Sequence, residues 1–340
     1  MRLRTLRGQR EMREVTLTID GQTVRVPPGA TILEAASSLG IEIPQLCYLE
    51  GLSPFSGCRL CLVEVEGART LVPACSHPVK EGIIVRTTSE RVLHARRLVL
   101  ELLLSDHPQD CLTCERNGAC KLQDYAYQYG LSTIRFAGER HHYPLDERNP
   151  FIIIDYNKCI LCGRCVRICE EVQGRAVIDF SYRGFATKVT TPFERPLTET
   201  NCEFCGQCVA VCPTGALTEK ARRFKGREWE LRKVTTVCPF CGVGCQLDLN
   251  IKDGKVVRVT STQGAVNGRN LCVKGRFGFE FIHREDRLKR PLVRRGEGSV
   301  EVSWDEALDL IARRLTEIKE RYGPDAIAGL SSAKCTNEEN

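Results

Sequence analysis

Twenty cysteines occur in this chain of 340 residues, and most of them fall into short groups of fixed spacing. The stretch from residue 159 to residue 212 holds two copies of one spacing, Cys-x2-Cys-x2-Cys-x3-Cys. Thiolates at positions i, i+3 and i+6 of a turning loop can reach three corners of one cubane 4Fe-4S cluster. The duplicated spacing therefore predicts two such clusters in tandem. The cysteines concerned are Cys159, Cys162, Cys165 and Cys169, followed by Cys202, Cys205, Cys208 and Cys212.

The tandem spacing resembles that of bacterial ferredoxins with two 4Fe-4S clusters, in which the fourth cysteine of each copy binds the neighbouring cluster. We expect this fourth cysteine to begin a helix. One cluster would then take Cys159, Cys162, Cys165 and Cys212, and the other would take Cys202, Cys205, Cys208 and Cys169. Structural zinc and disulfides are the alternatives, but zinc ribbons use two Cys-x2-Cys pairs rather than two quartets. We assign this ferredoxin domain to residues 146–221.

The elements before the tandem repeat indicate a β-grasp domain over residues 14–88, after a basic extension at residues 1–13. Residues 14–19 and 23–26 alternate apolar and polar side chains about an Asp-Gly turn, and residues 31–39 have helical spacing. Four cysteines follow, with the spacing C-x10-C-x2-C-x13-C. This resembles the 2Fe-2S domain of the complex I large subunit and of iron-only hydrogenases, with zinc as the alternative. The predicted ligands are Cys47, Cys58, Cys61 and Cys75.

Residues 89–145 are predicted to form a helical domain that holds a further 4Fe-4S cluster. A helix is expected over residues 89–104, with one apolar face and with Arg96 and Glu101 directed outward. Three cysteines come after it without a fourth thiolate, and a histidine lies where a fourth ligand is needed. The set resembles the cluster with one histidine and three cysteine ligands in complex I and iron-only hydrogenases; a surface histidine is the alternative. The predicted ligands are His107, Cys111, Cys114 and Cys120.

A charged segment at residues 222–233 is predicted to be a linker to a last cluster domain at residues 234–290. The motifs Val-Cys-Pro-Phe-Cys-Gly-Val-Gly-Cys and Asn-Leu-Cys-Val-Lys-Gly-Arg flank a predicted hairpin about Asp253 and Gly254. Both motifs resemble the first domain of molybdenum or tungsten bis-pterin oxidoreductases, and most of all the large subunit of cytoplasmic NAD(P)-linked formate dehydrogenase. The resemblance implies a 4Fe-4S cluster on Cys238, Cys241, Cys245 and Cys272. It also implies that Lys274 lies between this cluster and the pterin; a surface lysine is the alternative.

Residues 291–340 are similar to the start of the pterin-binding α/β domain. Ser303 and Glu306 form a predicted capping box for a helix over residues 304–322, and residues 326–330 are predicted to form a buried strand. The motif at residues 331–340 extends the resemblance and contains Cys335, which belongs to no cluster motif. In the family, the cysteine or selenocysteine that binds the metal lies further along than Asn340. We therefore expect no catalytic residue in this chain, and expect either a fragment or a subunit completed elsewhere.

The predicted protein is an α+β multidomain electron carrier with one 2Fe-2S and four 4Fe-4S clusters. By the resemblance, it would pass electrons between a bis-molybdopterin guanine dinucleotide site, which converts formate and carbon dioxide, and a flavin-bearing subunit that reduces NAD(P). Ferredoxin or hydrogenase subunits are further possible partners, and a hetero-oligomer is expected. The alternatives are a large subunit of a complex I-like NADH dehydrogenase and a hydrogenase-associated electron carrier without catalysis of its own.

Charge and composition agree with such a protein. The formal charge of +6 counts every cysteine as neutral, whereas ligation of five oxidised clusters would add about −9. Lysine and arginine are scattered without an aromatic platform, so we predict no nucleic-acid binding. The sequence has no evident signal peptide and no apolar run of about 18 residues, which predicts a cytoplasmic protein without a membrane span.

Overall fold

The computed structural model describes residues 14–136, 138–332, 335, 337–338 and 340. These residues form two compact units, one ending at Leu231 and the other beginning at Arg232. The predicted basic extension at residues 1–13 lies outside the described residues, as do Ala333, Lys334, Thr336 and Glu339 of the C-terminal motif. Helix and sheet are mixed in both units, as predicted.

The first unit opens with a five-stranded sheet and one helix packed on it. The sheet order is β2-β1-β5-β3-β4, with β1 and β5 parallel. The predicted hairpin is confirmed, because Asp20 and Gly21 have φ values of 47° and 82°. The elements are β1 (Val15–Ile19), β2 (Gln22–Val26), α1 (Ile32–Ser38), β3 (Leu62–Val65), β4 (Val72–Pro73) and β5 (Ile84–Arg86).

The helix α1 begins and ends where the sequence predicts. Thr31 and Glu34 form a reciprocal capping box, in which each side chain accepts from the other residue's backbone N–H. Gly40 has a φ of 72°, which suits the position just after the helix. The buried face of α1 packs on Leu17, Ile19 and other sheet residues to form the core of this domain.

The next two helices are α2 (Glu90–Asp106) and α3 (Lys121–Gln128). The predicted outward face of α2 is wrong at two positions, since Arg96 and Glu101 are only 2% and 3% exposed. Arg96 donates to the carbonyl of Leu62 and to the hydroxyl of Tyr129, and Glu101 accepts from the guanidinium of Arg135. These distant partners make burial of both charges acceptable, and apolar periodicity could not reveal them.

The ferredoxin region contains two short antiparallel sheets and two short helices. The predicted strand at residues 151–155 is confirmed as β6, which pairs with β9. The helices begin after Gly163 and Gly206, whose φ values are 66° and 69°, so each starts before the third cysteine of its quartet. The elements are β6 (Ile152–Ile154), α4 (Arg164–Arg167), β7 (Asp179–Ser181), β8 (Lys188–Thr190), α5 (Gln207–Val211) and β9 (Leu217–Glu219).

The expectation that the fourth cysteine begins a helix is therefore wrong. Cys169 lies in a π-helical turn over Ile168–Val172 that continues α4, and Cys212 caps the C-terminal end of α5. The left-handed glycines turn each loop into its helix one residue before the third cysteine. The fourth cysteine is consequently carried away from its own loop by one or two helical turns.

Residues 222–231, within the segment predicted as a linker, are folded against the His107 domain. Arg222 is buried, and Arg227 donates to the carbonyl of Leu112 at 2.6 Å and to that of Cys114. The ring of Trp229 lies against Gly118. The charged side chains of this segment thus make specific contacts instead of remaining in solvent.

The second unit contains a three-stranded antiparallel sheet, a two-stranded sheet and two helices. The hairpin predicted about Asp253 and Gly254 is confirmed, with φ values of 49° and 74°. The elements are β10 (Arg232–Val237), β11 (Gln246–Lys252), β12 (Lys255–Ser261), α6 (Val273–Phe277), β13 (Leu292–Arg295), β14 (Gly298–Glu301) and α7 (Trp304–Tyr322). None of the helices in the described part of the chain is long and apolar enough to cross a membrane.

The bounds of α7 agree with the prediction, but its surroundings do not. Ser303 accepts from the backbone N–H of Glu306, whereas the Glu306 carboxylate binds Arg295, so only half of the predicted capping box forms. On the predicted inward face, Ala307 is buried, but Ile311 remains 53% exposed. Within residues 323–332 the structure has a 3-10 turn and no strand, so the buried strand at 326–330 is wrong here. A strand needs a neighbour for its backbone hydrogen bonds.

Candidate metal centres

The first candidate centre comprises four buried cysteines of the β-grasp domain, Cys47, Cys58, Cys61 and Cys75. A hydrogen bond with the Cys47 thiol and burial raise the pKa of Cys58, and a hydrogen bond with the Cys75 thiol lowers the pKa of Cys61. The Cys75 thiol in turn interacts with those of Cys47 and Cys61. The structure therefore brings all four predicted ligands together.

The loop round this centre supplies polar groups to the sulfurs. Ser56 and Arg59 have φ values of 56° and 55°, and these two left-handed residues help wrap the loop tightly. The Ser56 hydroxyl lies 3.4 Å from the sulfur of Cys75. Backbone N–H groups of Leu46 and Leu60 point to the sulfur of Cys58 and lower its pKa against the larger effects that raise it. Such donors stabilise thiolates and tune the potential of a cluster.

The second candidate centre is formed by His107, Cys111, Cys114 and Cys120 at the ends of α2 and α3. His107 is 9% exposed, and within the described residues its buried Nδ1 has no hydrogen-bond partner. Burial lowers the pKa of His107 to about 4, so the imidazole is neutral near pH 7 and can act as a ligand. The Cys114 thiol faces those of Cys111 and Cys120. An unpaired buried ring nitrogen beside three thiols fits the predicted donor set.

Replacing His107 by cysteine is expected to keep a cluster at this centre and to lower its reduction potential. A thiolate adds negative charge where the imidazole is neutral, and this disfavours the reduced state. A redox titration monitored by EPR measures the change, with the exposed His142→Cys as the control. A His107→Cys potential equal to that of the control would contradict ligation by His107.

The third candidate centre surrounds an almost wholly apolar cavity of about 50 Å³ in the ferredoxin region. Ile154, Ile160 and Ala216 are among its apolar lining residues. Burial raises the pKa of Cys159 to about 11 and that of Cys162 to about 12, so thiolates here need a bound cation to stabilise them. The cysteines that line the cavity are Cys159, Cys162 and Cys165 of the first quartet and Cys212 of the second.

The fourth candidate centre uses the other half of each quartet. Burial raises the pKa of Cys208, and the thiols of Cys205, Cys202 and Cys169 raise it further. The pKa of Cys202 is likewise raised by burial and then by the thiols of Cys205 and Cys169. Cys169 therefore faces the second loop, and the geometry has the crosswise arrangement that the spacing predicts.

The second and third centres approach each other at Gly215. A Cβ atom on this residue would lie 2.7 Å from the sulfur of Cys114 and 3.3 Å from Cδ of Lys158. Arg116 donates to the carbonyl of Cys212 at 3.2 Å, and the backbone N–H of Lys121 donates to that of Pro213 at 3.1 Å. The segment after Cys212 is thus packed directly against the His107 centre.

Gly215→Ala is expected to disturb the His107 centre selectively, because the added methyl group overlaps a ligand sulfur. We expect the EPR signal of that cluster to be lost or shifted while the 2Fe-2S signal remains. Gly138→Ala is the matched control, since no atom lies within 4 Å of a Cβ at that glycine. Identical spectra from the two variants would argue against this close contact.

The fifth candidate centre lies in the second unit. Cys238 is buried, and burial and then the thiols of Cys272, Cys245 and Cys241 raise its pKa. The backbone N–H of Cys238 donates to the carbonyl of Cys245 at 2.8 Å. Lys274 is exposed on α6, directly after Cys272. Cys335 is also exposed.

Sequence reasoning missed four residues that surround these centres: Lys158, Arg164, Arg167 and Gly215. The arginines lie between the cysteines of the first quartet, a position that gave the only available signal. Lys158 is nearly buried and forms ion pairs with Asp110 at 3.0 Å and Asp155 at 3.2 Å. Within the described ranges, no three His, Cys, Asp or Glu side chains are arranged as ligands of a single metal ion.

Five family descriptions match the chain in succession. Residues 12–90 match a 2Fe-2S iron-sulfur cluster binding domain, and residues 96–135 match the NADH-ubiquinone oxidoreductase-G iron-sulfur binding region. Residues 149–218 match the ferredoxin-like domain of NADH-quinone oxidoreductase subunit 3. Residues 231–284 match the molybdopterin oxidoreductase Fe4S4 domain, and residues 287–340 match molybdopterin oxidoreductase.

Individual proteins support these matches. NADPH-Fe(3+) oxidoreductase subunit alpha of Geobacter sulfurreducens is 42% identical over 96% of this chain and 38% of its own length. An NADH-quinone oxidoreductase-G protein of Rhizobium meliloti is 43% identical over 95% of this chain and 38% of its own length. A chain from the crystal structure of an NAD+-reducing NiFe-hydrogenase in the H2-reduced state is 33% identical, with a TM-score of 0.59. That similarity covers 62% of this chain and 90% of the hydrogenase chain.

The fold, the candidate centres and these matches define a multidomain iron-sulfur protein of the oxidoreductases. The chain spans a little over a third of the length of the curated relatives that it matches. It belongs to the family of NADH-quinone oxidoreductase-G-like proteins, in which 2Fe-2S and 4Fe-4S domains precede molybdopterin oxidoreductase domains.

Proposed function

We propose that this chain conducts electrons through one 2Fe-2S and four 4Fe-4S clusters between an NAD(P)-linked flavin partner and a molybdopterin site. The observation that carries the proposal is the grouping of nineteen cysteines and His107 into five candidate centres, including the crosswise pair. We assign the centres to domains at residues 14–88, 89–145, 146–221 and 234–290, with a linker at 222–233 and the start of the pterin domain at 291–340.

The chain's own residues bind and tune the clusters. Four cysteines hold the 2Fe-2S cluster, and Ser56 and backbone N–H groups stabilise its sulfurs. Neutral His107 makes its centre less negative than an all-cysteine one and so favours its reduction. The apolar lining of the third centre excludes water from the sulfurs. Lys274 would lie toward the pterin.

Electron flow is proposed to run from the Cys238 centre through the tandem pair to the His107 centre or the 2Fe-2S centre, and in reverse for reduction at the molybdopterin site. Support comes from the close contact of the His107 centre with the third centre at Gly215. The direction of flow depends on the reduction potentials, which burial and hydrogen bonds to sulfur set.

The finer proposal is that the molybdopterin site oxidises formate, in a cytoplasmic hetero-oligomer that contains molybdenum or tungsten. A Staphylococcus aureus protein described as a putative formate dehydrogenase is 33% identical over 96% of this chain and 37% of its own length. The NADPH-Fe(3+) and NADH-quinone relatives have higher identities, which keeps a complex I-like function as the second candidate. The NADP-reducing hydrogenase subunit HndD of Solidesulfovibrio fructosivorans is 51% identical over 61% of this chain, which supports a hydrogenase-associated carrier as the third.

The native complex decides between these candidates. It is purified anaerobically, and formate, NADPH and hydrogen are each added while the EPR signals of the clusters are recorded. Reduction by formate, with molybdenum or tungsten in the preparation, supports the finer proposal. Reduction by NADPH but not by formate would refute formate oxidation and leave the electron-transfer function intact. Failure of every donor to reduce any cluster would refute both.

A further inference from the structure

Arg164 lies between the 2Fe-2S centre and the third centre. It is the first residue of α4, between Cys162 and Cys165, and its Nη2 donates to the carbonyl of Tyr48 at 2.6 Å. Tyr48 directly follows Cys47, so the side chain crosses from one predicted ligand loop to the other. Burial lowers the pKa of the guanidinium, and the thiols of Cys162, Cys47, Cys58 and Cys212 act in the opposite direction. Two of these thiols belong to each centre.

The charge of Arg164 is not neutralised locally. Among the described residues it forms no ion pair with a carboxylate, whereas Lys158 has Asp110 and Asp155 as partners. An arginine side chain keeps its proton in proteins, so a full positive charge faces both sets of sulfurs. In a partly buried position this charge is screened less than one at the surface.

One donor of Arg164 also lacks a partner. Its Nε is buried, and within the described part of the chain no hydrogen-bond acceptor is present for it. A buried N–H without an acceptor is costly, and most such groups in proteins are paired. A cluster sulfur is an acceptor of the required kind, and hydrogen bonds to sulfur raise reduction potentials.

We propose that Arg164 is an electrostatic positioning residue shared by the 2Fe-2S centre and the centre of Cys159, Cys162, Cys165 and Cys212. Its positive charge favours the reduced, more negative state of both clusters and keeps their potentials close enough for electrons to pass between them. This inference rests on the proposed cluster ligation.

Arg164→Gln and Arg164→Lys in the anaerobically reconstituted chain test the proposal, with Arg25→Gln as the control. Arg25 is an exposed residue of β2 in the same unit. The signal of the third centre is identified by its absence in Cys212→Ala, and iron and sulfide contents are measured for every variant. These contents test ligation itself, whereas the potentials test Arg164.

Arg164→Gln is expected to lower the reduced-to-oxidised ratio of both clusters about tenfold at a fixed potential, which is a shift of about 59 mV for one electron. Arg164→Lys keeps the charge and is expected to change either ratio by no more than about threefold. Unchanged potentials in Arg164→Gln, or a shift of one cluster alone, would overturn the proposal. Loss of iron by both Arg164 variants, with the control intact, would also overturn it and leave only a structural role.

Discussion

Cys212→Ala is expected to abolish the cluster of the loop that begins at Cys159, although Cys212 lies in the other quartet. The cysteines that line the cavity of this centre include Cys212, which completes the set of four. Loss of one thiolate from a 4Fe-4S site removes the cluster or leaves an incomplete one. Iron would fall by up to four atoms from a total of about eighteen, and one 4Fe-4S signal would disappear from the EPR spectrum.

Double variants make this test of crosswise ligation sharp. Cys159→Ala combined with Cys212→Ala should lose no more iron than either single variant, because both substitutions affect one cluster. Cys159→Ala combined with Cys169→Ala should lose about twice as much, because Cys169 faces Cys202, Cys205 and Cys208. The reverse pattern would assign each cluster to its own quartet and contradict the arrangement proposed here.

Arg167→Ala is expected to destabilise the first unit strongly. The buried guanidinium of Arg167 donates to the carbonyls of Ser53, Cys47 and Gly163, the last two at 2.5 and 3.2 Å, and it lies over the ring of Phe55. Truncation leaves these carbonyls without their charged donor, at a cost of about 3 kcal/mol. The melting temperature of the anaerobic holo-chain should then fall by roughly 6 to 12 °C.

The control for Arg167 is Arg148→Ala, which removes an exposed arginine paired with Asp146 at 2.8 Å. Exposed pairs contribute little, so its melting temperature should stay within about 3 °C of the parent chain. Differential scanning calorimetry measures both variants. Equal melting temperatures for the two would mean that Arg167 does not hold the 2Fe-2S loop against α4.

Much of the fold follows from short-range patterns. The hairpins at Asp20-Gly21 and Asp253-Gly254, the capped helix α1 and the bounds of α7 depend on turn and cap chemistry within a few residues. The five cysteine groups were likewise visible from spacing alone. Each of these features is encoded by neighbouring residues.

Long-range contacts could not be predicted in the same way. Arg96 and Glu101 are buried because Leu62, Tyr129 and Arg135 come to them from other parts of the chain. Tyr125 is buried as predicted, whereas Tyr127, two residues later, is 79% exposed because it lies on the opposite side of α3.

The start of each ferredoxin helix is a third case. The left-handed glycines after Cys162 and Cys205 place that start before the third cysteine. Glycine at these positions was visible in the sequence, but its φ value was not.

Iron, sulfide and zinc quantitation with low-temperature EPR on the anaerobically reconstituted chain tests the central claim most directly. We predict about eighteen iron atoms per chain, with one 2Fe-2S signal and four 4Fe-4S signals on full reduction. A folded preparation that holds zinc in place of iron, or about half of the expected iron, would contradict the five-cluster account.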